Sequence, residues 1–86
     1  MQSVIALSAL LGVRLGDDLG PLETLRILQA EVALALVEWR RLEAASGCDL
    51  DVSRRARRWA RAIDATWELA RAELLVAAGR RRQGGL

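Results

Sequence analysis

The chain has 86 residues, room for one small domain, and arginine supplies all 13 of its basic charges because lysine is absent, as are histidine, tyrosine, phenylalanine and asparagine. Without histidine, lysine or tyrosine, few side chains titrate near neutral pH, which excludes imidazole metal sites and Cys–His nucleophiles and argues against enzymatic acid–base chemistry. The single cysteine, Cys48, excludes an intrachain disulfide and a multi-cysteine zinc site, and 52% hydrophobic residues exclude wholesale disorder.

The first predicted element is a short apolar helix over 2–11. Met1–Gly12 lacks the basic start of a secretory signal, and Arg14 follows the apolar run. No apolar stretch approaches the ~20 residues that span a bilayer, so the expectation is a cytoplasmic protein without integral membrane insertion. A linker, Gly12–Gly20, carries three glycines and two aspartates, Asp17 and Asp18. A second helix starts at Pro21, where a missing N–H is harmless. Glu23 favours its positive end, and Ser46-Gly47 stops it after about Ala45. After the loop Cys48–Val52, Asp51 or Ser53 is expected to cap a third helix that runs over 53–78 and ends at Gly79. Residues 1–79 then form one domain, and Arg80–Leu86 a frayed basic tail.

Two helices of equal length joined by a short loop predict an antiparallel hairpin in an all-α fold. Leu25, Leu28, Val32, Leu36, Trp39 and Leu42 form one stripe, and Ala56, Trp59, Ile63, Trp67, Ala70 and Leu74 the other. Folding the chain near residue 49 sets Trp39 against Trp59 and Val32 against Trp67. It also brings Glu43 to Arg57, Glu38 to Arg61 and Arg26 to Glu73. A second apolar line remains on each helix. Ile27, Ala30, Leu34 and Val37 form one; Ala62, Ala65, Leu69, Ala72 and Val76 form the other. The first helix is short enough to cover only part of one line. The expectation is therefore a homo-oligomer or a subunit of a larger complex, with Ile27, Leu34, Val37, Leu69 and Val76 as interface.

Charge divides along the chain. Residues 1–52 hold four arginines and eight acids, net −4; residues 53–86 hold nine arginines and three acids, net +6. Arg54, Arg55, Arg57, Arg58 and Arg61 crowd the expected start of the third helix, with Arg54, Arg58 and Arg61 on one face. Guanidinium groups beside free helix-end N–H groups would seat phosphates. Arg80, Arg81 and Arg82 of the frayed tail form a second basic group at the opposite end of the third helix, ~35–40 Å away. The tryptophans lie on the core stripe, so base stacking is not expected, and no base-reading motif is present.

The acids Asp49 and Asp51 beside Cys48 read as turn and cap residues, because the run lacks the ligands and glycine of a calcium loop. Glu31 and Glu38 read as the polar side of a helix. No phosphate-binding glycine loop occurs. The expectation is a non-enzymatic, self-associating assembly module without metal or cofactor, contacting nucleic-acid backbone non-specifically. A viral or phage-type DNA-packaging accessory subunit is one example of such a module. The alternative is a protein–protein adaptor or structural subunit docking an acidic partner.

Overall fold

A computed structural model of the protein describes residues 1–47 and 49–84, with side chains as far as Arg81. The described residues fold into α1 (Gln2–Leu11), α2 (Pro21–Ala45) and α3 (Leu50–Gly84), with no strand among them. Cys48 lies outside them, as does the side chain of Arg82.

Each helix end has a local cause. α1 stops at Gly12, whose φ of +67° is the left-handed conformation that glycine adopts without strain. α2 starts with the Gly20 N–H donating to Glu23 Oε2 (3.2 Å), and the buried Thr24 hydroxyl donates to the Gly20 carbonyl (2.9 Å). Its C-terminus closes at Ser46 and Gly47, the latter at φ +57°.

α3 departs from expectation at both ends. It begins at Leu50, because Asp49 Oδ1 accepts from the N–H groups of Asp51 (3.1 Å) and Val52 (3.2 Å). The cap is therefore Asp49, not Asp51 or Ser53. Gly79 does not stop the helix, which continues to Gly84. A glycine within a helix costs only ~1 kcal/mol, and Gly79 keeps a negative φ. The arginines that follow suit the negative end of the dipole, and residues 80–84 are helical rather than frayed.

α2 and α3 pair as an antiparallel hairpin in the predicted register. The Trp39 and Trp59 rings stack with centroids 5.9 Å apart and planes 6° from parallel, and Arg57 Nε donates to Glu43 Oε1 at 2.6 Å. Val4 and Leu7 of α1 join Leu28, Val32, Ile63, Ala70 and Leu74 in one buried cluster, with Trp67 packed on it. α1 therefore completes the hairpin core itself and leaves the second apolar lines exposed except at Ala62, which is half-buried beside Leu10.

Two core expectations fail at the hairpin tip, where Leu42 is 40% and Trp59 37% exposed. α1 ends at Leu11 and reaches Trp59 only with Leu10 at its edge, so no third helix covers the tip beyond that point. Two ion pairs also fail. Glu73 points to α1, where the Ser3 N–H donates to Glu73 Oε2 (3.3 Å), rather than to Arg26. Among the described residues Glu38 and Arg61 form no ion pair.

The placement of α1 defines the linker. Leu10 borders Trp59 and Ala62, while Gly20 borders Ala78 and Arg81. The chain therefore returns along α3, and it does so with a turn at Asp17–Asp18, where the Leu19 N–H donates to the Gly16 carbonyl (3.5 Å). Leu15 of this strap packs against the core. The whole measures 58 × 18 × 15 Å, a short rod.

Candidate nucleic-acid interface

The arginines near the hairpin tip stand on α3, and the helix period sorts them. Counting 100° per residue from the buried Ile63, Arg54 and Arg61 lie about 160–180° around the helix, with Arg57 and Arg58 about 120–140° to either side. These four line an open depression of about 320 Å³ on the face turned away from the core. Arg55 points elsewhere: with Arg58 it borders a second depression beside Trp59, Ala62 and Leu10. The five arginines are thus a group of four with one flanking member.

The group is not uniform. Arg57 is engaged by the Glu43 carboxylate, whereas Arg54, Arg58 and Arg61 make no ion pair among the described residues. The earlier helix start also changes the local electrostatics. The arginines begin one turn inside α3, and the N–H groups of Asp51 and Val52 are taken by Asp49. Helix-end N–H groups are therefore not the partners for a bound anion that the sequence suggested. The guanidinium groups stand without them.

The second basic group lies ~35 Å further along α3. Arg80 borders a depression with Met1, Glu73 and Val76. Arg81 reaches the start of α2, where a Cβ on Gly20 would stand 2.9 Å from its Nη1. Glycine leaves room there for the guanidinium beside Glu23. Arg80 and Arg81 therefore face different elements and do not join the tip group.

The expected interface residues all lie outside the core. Leu34 is 65% and Leu69 61% exposed, and Ile27, Val37 and Val76 are exposed as well. Among the described residues no three His, Cys, Asp or Glu side chains gather as a metal ion would require, and no helix is long and apolar enough to cross a membrane.

One charged residue with a clear structural task was missed at the sequence level. Glu73 receives the N–H of Ser3 across 70 positions and caps α1 from another helix. Hydrogen bonding from Ser3, the hydroxyl foremost, holds its carboxyl below the usual glutamate range, against the opposing effect of burial. No local signal marks such a contact, since Glu73 reads as one more acid on a charged helix. No known protein family, curated protein or solved structure matches the chain.

Proposed function

We propose that the protein is a non-enzymatic helical assembly module that self-associates through its uncovered apolar lines and contacts nucleic-acid backbone through the tip arginines. The observation that carries the second half is the open face of Arg54, Arg58 and Arg61, three guanidinium groups without an ion-pair partner among the described residues. Guanidinium binds phosphate in a bidentate fork and does so without reading bases. Arg57, held by Glu43, borders the site without leading it. A phage- or virus-type DNA-packaging accessory role fits such a module as one instance.

A salt series with random duplex DNA, read by fluorescence anisotropy, tests the proposal. Weak binding with steep salt dependence and little sequence preference is expected. Each phosphate neutralised contributes ~0.9 to the log–log slope, so changing Arg54, Arg58 and Arg61 together to Gln lowers the slope by up to ~2.7. An unchanged slope in the triple variant moves the site elsewhere, Arg80 to Arg82 being next to change. No binding at low salt removes the nucleic-acid reading and leaves the adaptor that docks an acidic partner.

A further inference from the structure

The two exposed apolar lines differ in what lies at their ends. On α2 the line reads Glu23, Ile27, Ala30, Leu34, Val37 and Arg41, at alternating spacings of four and three. That is the repeat by which one helix seams against another. All six are exposed, and the line is ~27 Å long. It opens on an acid and closes on a base. On α3 the corresponding line, through Leu69 and Val76, runs from Arg58 to Arg80, a base at both ends.

We propose that the α2 face pairs with the α2 face of a second copy, antiparallel about a two-fold axis lying between Ala30 and Leu34. This rests on the self-association part of the proposed function and names the surface and geometry for it. In that register Glu23 meets the partner's Arg41 and Arg41 meets the partner's Glu23. Leu34 fits over the partner's Ala30, and Ile27 over the partner's Val37, large on small at the centre as close packing favours. The same contacts recur on both sides of the axis, as a closed pair requires.

The other pairings conflict with the charges. A parallel α2 pair sets Glu23 on Glu23 and Arg41 on Arg41. The α3 line paired with itself sets arginine on arginine, whether parallel or antiparallel. Pairing α2 with α3 in parallel register gains Glu23 against Arg58, but it brings Glu38 against Glu68 and links copies head to tail without closing. In the antiparallel α2 pair contacts at both edges oppose association: Glu31, half-buried near the middle of one edge, comes near its own copy, and on the other edge the exposed Arg26 comes near the partner's Arg40. One helix pair also falls below the ~1,200 Å² of standard interfaces. The dimer is therefore weak and concentration-dependent.

Sedimentation across a concentration series, with helix content followed by circular dichroism, tests the proposal. The parent is expected to pass from monomer to dimer mass. Leu34→Glu stays monomeric and fully helical, while Leu69→Glu behaves as the parent. Arg41→Glu, which sets acid on acid at both ends, weakens the dimer about tenfold. Adding Glu23→Arg to Arg41→Glu restores opposite charges and returns affinity to near the parental value. Loss of the dimer on Leu69→Glu but not on Leu34→Glu overturns the α2 pairing and leaves self-association through α3 standing. A double swap that fails to recover while remaining helical also overturns the antiparallel register. A monomer at every concentration overturns self-association itself.

Discussion

Glu73 ties the start of α1 to α3 across 70 positions of sequence. Its carboxylate receives the start of α1, and this contact lowers its pKa in the fold. A depressed folded-state pKa contributes stability above the unfolded value, and that contribution disappears as pH falls through the folded one. The α1 contact is therefore expected to weaken on acidification below the ordinary glutamate value of ~4.3. Glu73→Gln should show a smaller loss of thermal stability than the parent between about pH 5 and pH 3; equal losses would show that Glu73 does not couple pH to the fold. At the hairpin tip, Trp59 is stacked yet 37% exposed. Its truncation to Ala should cost about 1–3 kcal/mol in chemical denaturation, less than the ~3–5 of a fully buried aromatic such as those in well-packed cores. The Trp39–Trp59 contact was legible because two equal apolar stripes permit few registers. The Glu73 contact was not, since it depends on where α1 settles against a helix 70 residues away.

At the scale of elements, α2 could be read to its ends because it is bracketed on both sides, by Pro21 and by Ser46-Gly47. α3 could not, because a single glycine is compatible with both a helix end and a helix interior. Gly12 and Gly47 end their helices in the left-handed turn that glycine favours, whereas Gly79 is helical, with nothing within 4 Å of an added Cβ. Gly79→Ala is consequently expected to raise stability by roughly 0.5–1 kcal/mol, since alanine has less backbone freedom to lose. A lowered melting temperature would place the helix end at Gly79 after all. The start of α3 gives the complementary test. Asp49→Ala should cost ~1 kcal/mol as a lost cap, while Ser53→Ala should be nearly silent because Ser53 lies in the helix interior.

The molecule as a whole has a three-helix half and a two-helix tip, and the arginines occupy the tip. Hydrogen exchange should therefore be slowest around Leu28, Ile63 and Leu74 and faster near Leu42 and Ala56, where no third helix adds burial. The basic character of this region was legible from charge counts along the chain. The separation of Arg55 from the other four, and the engagement of Arg57 by Glu43, depend on helix phase and pairing and needed the fold. The arginine face of α3 and the seam of α2 each point away from the core that the two helices share. Two copies joined back to back along α2 would turn their guanidinium groups outward, away from each other. Such a pair cannot straddle one duplex; it would tether two. Long DNA should then bundle at protein concentrations where dimers form, seen as rising turbidity, and Leu34→Glu should still bind DNA while leaving the solution clear.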